Sequence, residues 1–198
     1  IVVPPFWNEI QRRSILLAAK IAGFNVLKLL NSTTAASISY SMYQRKKLPK
    51  TTENPVPVAF IDFGESSLSV SVALLKQGSV EVKGFAFDDR LGGNNFTSVL
   101  VDMLLEKTKQ KYGIDPSSNQ RQMLRFVQTA EKVKKNLSVN RAITFDIQNF
   151  MNGVDVSFVV KRDEFEEKIS HLIEKVEETI MRALNLAGVK KEEVFAVE

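Results

Sequence analysis

The 198-residue sequence contains no cysteine. Disulfides and thiolate-held metals are therefore excluded, and the absence fits a cytoplasmic setting. Histidine is almost as scarce: His171 stands alone, with no nucleophile or ligand pattern around it, and is expected to be structural. No apolar run approaches the ~18 residues of a membrane-spanning helix, so no membrane partner is expected. The first residues, Ile1-Val2-Val3-Pro4-Pro5, have neither the basic start nor the long apolar stretch of a signal peptide. A starting Met is also missing, which points to a processed or excised piece. Focused positive charge is lacking too. The net charge is +4, but apart from Arg45-Lys46-Lys47 and Lys50 the basic residues are spread along helices. Nucleic-acid binding needs a patch and a reader motif, and no nucleic-acid partner is expected.

What is present is a globular composition, long enough for one or two cores. Asn8 followed by Gln11 reads as a capping box, opening a helix that carries Ile10, Ile15, Leu16 and Ala19 and ends at Gly23. The apolar run Val26–Leu30 reads as a buried strand, and Thr33–Tyr43 as a second helix. Residues 44–57 are basic, polar and broken by three prolines, the best linker candidate. A three-stranded meander is expected over 58–87, with alternation at Leu68, Val70, Val72 and Leu74 and a turn at Gln77-Gly78. Helices follow over Asn95–Tyr112, stopped by Gly113, and over Asn119–Leu137, with Leu124, Val127 and Val133 towards a core. Short strands around Asn152-Gly153, a helix Asp163–Ala187 stopped by Gly188, and a strand starting at Val194 complete an α/β pattern. The phenylalanines follow these periodicities and are read as core.

These pieces match a known order. Val3-Pro4, Gln11-Arg12, Ala22-Gly23 and Asn31 before Thr34-Ala35-Ala36 resemble the stretch between the lobes of the heat-shock 70-kDa chaperone family. Ile61-Asp62-Phe63-Gly64-Glu65-Ser66-Ser67 resembles that family's second phosphate loop, and Leu91-Gly92-Gly93-Asn94-Asn95-Phe96 the start of its upper second lobe. Glu131-Lys132-Val133-Lys134-Lys135-Asn136-Leu137-Ser138 resembles its adenosine-holding helix, and Phe165-Glu166-Glu167 and Val194-Phe195-Ala196-Val197-Glu198 follow in place.

The resemblance implies the actin-like ATPase (ribonuclease H-like) fold in part: the base of lobe one plus most of lobe two. Residues 1–51 would be the base of lobe one, 52–91 the first part of the base of lobe two, 92–168 its top, and 169–198 the second part of its base. The implied cofactor is ATP or ADP with Mg²⁺, held by the full domain. Asp62 would organise the Mg²⁺–water shell, with no residue bound directly to the metal. Gly64, Glu65, Ser66 and Ser67 would face the nucleotide phosphates, and Gly93, Glu131, Lys134, Lys135 and Ser138 the adenosine. Pro4 and Arg12 would relay nucleotide state to a neighbouring domain.

Several residues depart from the family pattern. Glu65 and Ser66 replace two phosphate-loop glycines, Ser69 and Ser32 replace acidic residues, and Lys135 replaces an arginine that could stack on adenine. A carboxylate about 4 Å from a phosphate charge costs about 4 kcal/mol at an effective dielectric of about 20, so Glu65 must point away or nucleotide binding weakens. Phosphoryl transfer relies on carboxylates around Mg²⁺, so ATPase activity should be weak or vestigial. A non-glycine residue followed by Ser-Ser in this loop is most like the 110-kDa branch. That resemblance implies a co-chaperone that exchanges nucleotide on a 70-kDa heat-shock chaperone and holds unfolded clients through other regions. The alternatives are an ATP-hydrolysing 70-kDa-type chaperone and, in another class, an actin-fold sugar kinase, whose sugar-binding insertions the sequence does not show. By itself the 198-residue piece is expected to be inactive and to bind nucleotide poorly.

Overall fold

Local signals set most element boundaries in the computed structural model, which describes residues 1–198. In chain order these are β1 (Val2–Val3), α1 (Glu9–Ile21), β2 (Leu30–Asn31), α2 (Ser32–Tyr43), β3 (Val56–Phe63), β4 (Leu68–Lys76) and β5 (Ser79–Asp88). Then come α3 (Gly93–Tyr112), α4 (Gln120–Leu137), β6 (Ala142–Met151), β7 (Val154–Lys161), α5 (Arg162–Ala187) and β8 (Ala196–Val197). The chain divides into two units, one of Ile1–Arg90 with Val176–Glu198 and one of Leu91–Lys175.

The first unit is built on a four-stranded sheet in the order β5-β4-β3-β8. Strands β3, β4 and β5 form an antiparallel meander, and β8 adds parallel to β3. Strand β4 is central, and both its faces are covered. One face carries Val70 and Val72, the other Ser69, Ser71 and Ala73, and all five are buried. The alternation in the sequence therefore separates large from small residues rather than core from solvent. On the small-residue side Leu48, Val58, Phe60, Ala73 and Leu75 form a core against which Tyr40 of α2 packs. The Tyr40 ring meets Phe60 edge-on, with centroids 5.6 Å apart. On the opposite face α5 lies so close to β5 that a Cβ on Gly84 would stand 2.4 Å from the Ala183 carbonyl oxygen.

Caps behave as the sequence indicates. Asn8 Oδ1 accepts from the Gln11 N–H at 3.0 Å, and Gln11 Oε1 from the Asn8 N–H at 2.9 Å. Gly113 (φ +67°) and Gly188 (φ +65°) end α3 and α5 in the left-handed conformation that glycine adopts without a Cβ penalty. The second unit packs α4 on the β6–β7 hairpin through Phe126, whose ring centroid lies 4.8 Å from Phe145 and 5.7 Å from Phe150.

Four expectations are corrected. The run Val26–Leu30 is not a buried strand: only Leu30–Asn31 pairs, with the two-residue β1, and Leu27 is 92% exposed. An apolar run becomes a strand only where a neighbour offers a ladder, and β1 offers two rungs. Of the four apolar residues read on α1, only Ala19 is buried. Leu124 faces outward, because the buried stripe of α4 runs Phe126, Ala130, Val133, Leu137, out of phase with it. Phe24, Phe63, Phe87 and Phe195 are exposed rather than core.

Candidate functional site

In the first unit the candidate phosphate loop is the hairpin joining β3 to β4. The ladder runs to Phe63 opposite Leu68, and Gly64 N–H donates to the Ser67 carbonyl at 2.9 Å. Glu65 and Ser66 at the tip are exposed, and their N–H groups have no backbone partner. Neither residue is left-handed, so a side chain at either position costs no backbone strain. The glycines of the usual loop are thus not required by this turn; what glycine would supply is an unobstructed approach to its N–H groups. Asp62 is exposed and lies directly across the ladder from buried Ser69. Directly opposed residues project to the same face, so the position beside Asp62 holds a hydroxyl and not a second carboxylate.

Also in the first unit, Pro4 and Arg12 are joined by a clamped turn. Trp7 N–H donates to the Pro4 carbonyl at 3.2 Å. Arg12 Nε donates to the Trp7 carbonyl at 3.0 Å, and Nη2 to the Pro5 carbonyl at 3.1 Å and to Asn31 Oδ1 at 2.9 Å. Arg12 is therefore not a freely solvated side chain. Asn31, which enters the sequence reading as part of the motif before Thr34-Ala35-Ala36, is one of its three partners.

In the second unit the candidate adenosine residues converge on one network. Gly93 is the first residue of α3, where Asn95 Oδ1 accepts from the Gly92 N–H at 2.8 Å. Lys134 Nζ donates to the Gly93 carbonyl at 3.0 Å and to Thr97 Oγ1 at 2.7 Å, and pairs with Glu131 Oε2 at 2.8 Å. The Thr97 hydroxyl donates to the same Glu131 oxygen at 2.5 Å. Lys135 reaches Glu131 Oε1 only at 3.5 Å and stays exposed. Burial pushes the Glu131 carboxyl up, but the hydrogen bonds from Lys134 and Thr97 and the Lys134 charge outweigh it and hold it below its ordinary value. Sequence reasoning misses Thr97. Its only signal is its place four residues after Gly93, one helical turn along α3.

Ser138 caps the end of α4, its hydroxyl donating to the Lys135 carbonyl at 2.6 Å. Beside it a cleft of about 280 Å³ is lined by Lys134, Leu137, Ser138, Arg162, Phe165, Glu166 and Ile169. Its floor is apolar and its rim carries donors and an acceptor, a surface that suits a flat ring with polar edges. His171 is exposed on α5, and no group of three or more Asp, Glu or His side chains converges to hold a bare cation.

The comparisons with known proteins bear on the whole chain. The family model described as Hsp70 protein matches residues 1–198. The chain belongs to the Hsp70 family. Heat shock 70 kDa protein 4 of Canis lupus familiaris is 41% identical over 99% of this chain, which covers 23% of that protein. The same-named protein of Homo sapiens is 40% identical over 99% of the chain, again 23% of its own length. A heat shock protein homolog of Candida glabrata is 39% identical over 100% of the chain and 28% of its own length. These relatives are of the 110-kDa branch that the Glu65-Ser66-Ser67 loop resembles, and the chain spans about a quarter of their length. The Hsp70 domain has the actin-like ATPase fold, and this chain is mixed α/β accordingly.

Proposed function

We propose that the chain is part of the ATP-binding domain of a 110-kDa-type co-chaperone, which exchanges nucleotide on a 70-kDa heat-shock chaperone in the cytoplasm. In this reading residues 1–51 are the base of lobe one, 52–91 and 169–198 the base of lobe two, and 92–168 its top. ATP or ADP with Mg²⁺ acts mainly as a stabiliser of the docking-competent shape, and clients are held by regions outside these residues. The observation that carries the reading is the β3–β4 hairpin: Glu65 and Ser66 occupy its tip without strain, and Ser69 stands across from Asp62. A loop built this way keeps N–H groups for a phosphate but has lost a carboxylate near the metal, so it suits binding better than turnover.

The remaining residues have defined tasks. Lys134, tethered by Gly93 and Thr97, presents its aliphatic stem in a fixed position, while exposed Lys135 is free to lie along a bound base. Ser138 offers a hydroxyl at the cleft edge. Bound Mg-ATP would supply the phosphate charge that Gly64, Glu65, Ser66 and Ser67 meet, with Asp62 orienting metal-bound water.

The test is release of fluorescent ADP from a 70-kDa chaperone, with and without the full-length protein. Strong acceleration, together with slow ATP turnover, is the expected outcome. No acceleration, alongside ATP turnover stimulated by a J-domain protein, would establish a working chaperone motor instead.

A further inference from the structure

The tip of the β6–β7 hairpin, in the second unit, is built from an Asn-Gly pair. Asn152 (φ +53°) and Gly153 (φ +74°) are both left-handed, as a two-residue hairpin turn with this dipeptide requires. The ladder slips between Ile147 and Met151, so the Met151–Val154 rung stands alone between a bulge and the turn. Asn152 is exposed and its carboxamide has no hydrogen-bond partner, and the Gly153 N–H has no backbone partner either. An electrophilic side-chain carbonyl and a free backbone nitrogen thus belong to adjacent residues, and glycine has no Cβ to obstruct their approach. None of the other asparagines precedes a glycine. Asn152 also lines a cleft of about 410 Å³ opposite Arg121 and Arg125 of α4, with no carboxylate in its walls. Arg125 grips the same hairpin, its Nη2 donating to the Gln148 carbonyl at 3.0 Å and its Nη1 to the Asn149 carbonyl at 3.3 Å.

We propose that Asn152 is a self-modification site, at which spontaneous deamidation places a carboxylate in the arginine-lined cleft. Hydroxide takes the Gly153 amide proton, and the nitrogen attacks Asn152 Cγ. The new Cγ–N bond closes a five-membered succinimide as the Cγ–Nδ2 bond breaks, and Nδ2 leaves as ammonia with a proton from water. A second water then opens the ring at either carbonyl, giving aspartate or isoaspartate. The sum is water taken up and ammonia released, with nothing oxidised or reduced. Ring closure needs rotation about the Asn152 Cα–C bond, which the hairpin resists only through one isolated rung, a segment at the low end of local stability. Either product puts a negative charge beside Arg121 and Arg125. Isoaspartate also carries the main chain through Cγ, adding a methylene to a loop whose length sets the Met151–Val154 pairing. The inference is independent of the proposed nucleotide site.

The test ages the full-length protein at neutral and at mildly alkaline pH and follows it by peptide mapping. The tryptic peptide Ala142–Lys161 carries both Asn149 and Asn152, so fragment ions assign the change, and Asn149 is the internal control. Asn152 should convert ahead of every other asparagine in residues 1–198, at a rate that rises with hydroxide. Part of the product should accept a methyl group from an isoaspartate-specific methyltransferase. Asn152→Gln keeps a carboxamide but needs a six-membered ring, and should lose most of that methyl acceptance. Amide exchange at residues 151–154 should be faster in the isolated isoaspartyl form than in the fresh protein. Earlier conversion of another asparagine, a product without isoaspartate, or methyl acceptance undiminished in Asn152→Gln would overturn the proposal. Unchanged exchange at residues 151–154 would overturn the loss of the rung.

Discussion

Replacing Lys134 with methionine removes the centre of the candidate adenosine network while keeping much of the aliphatic stem. Three contacts vanish: those to the Gly93 carbonyl, to Thr97 Oγ1 and to Glu131 Oε2, at 3.0, 2.7 and 2.8 Å. Glu131 keeps the Thr97 hydroxyl and a distant Lys135. Hydrogen bonds to charged groups contribute about 1.5–3 kcal/mol, and the partial exposure of Glu131 screens its share towards the low end. A local loss of about 1.5 kcal/mol is expected at neutral pH, read from amide exchange of α3 and α4 in the full-length protein. The pH dependence follows from the lowered carboxyl of Glu131. Its contribution is complete above the ordinary value of 4.5 and disappears as pH falls through the lower folded value. The gap between the native protein and Lys134→Met should therefore narrow on acidification below that value. Thr97→Val combined with Lys134→Met should cost less than the two separately, since both act on one carboxylate. A neutral-pH loss under about 0.5 kcal/mol, or one that persists unchanged in acid, would refute the idea that Lys134 and Thr97 preorganise Glu131.

Gly84→Ala forces a Cβ to 2.4 Å from the Ala183 carbonyl oxygen and 2.6 Å from the Ala187 nitrogen, both backbone atoms. It should destabilise the β5–α5 packing by about 1–3 kcal/mol in urea unfolding, and a neutral result would mean that α5 can draw back freely. Ser71→Ala removes a fully buried hydroxyl that has no hydrogen-bond partner, so unfolding measurements should show a gain of up to about 1–2 kcal/mol; a loss would reveal a partner for that oxygen. Glu65→Gly in the full-length protein should tighten Mg-ADP binding by about 2- to 10-fold, since an exposed carboxylate near phosphate is repelled through water. Unchanged affinity in calorimetry would show that Glu65 points away from the ligand.

Much of this architecture was legible because short-range chemistry dictates it. The Asn8–Gln11 reciprocal cap, the turn after Lys76 and the stops at Gly113 and Gly188 depend on residues within one helical turn or one hairpin. What escaped depends on neighbours distant in sequence. Val26–Leu30 has strand composition but meets only the two rungs of β1. Leu124 lies two residues before Phe126, and only packing against Phe145 decides which of them sets the phase of α4. At the candidate site, the family resemblance brought out Glu131, Lys134 and Gly93. Thr97 stayed hidden because an ordinary helical threonine gains its meaning from Lys134 and Glu131, 37 and 34 residues away. The stack of Phe6 on Phe87 is of the same kind: each ring looks like core in sequence, and only the fold sets them together.

The way Arg12 is held has a consequence for conditions. Its partners are two backbone carbonyls and a carboxamide, with no carboxylate among them. Attraction between a charge and a nearby dipole is short-ranged, and dissolved salt, which screens separated charges over about 8–10 Å, barely reaches it. Brine offers no handle on this turn, so whatever alters it must push mechanically on the backbone that Arg12 grips.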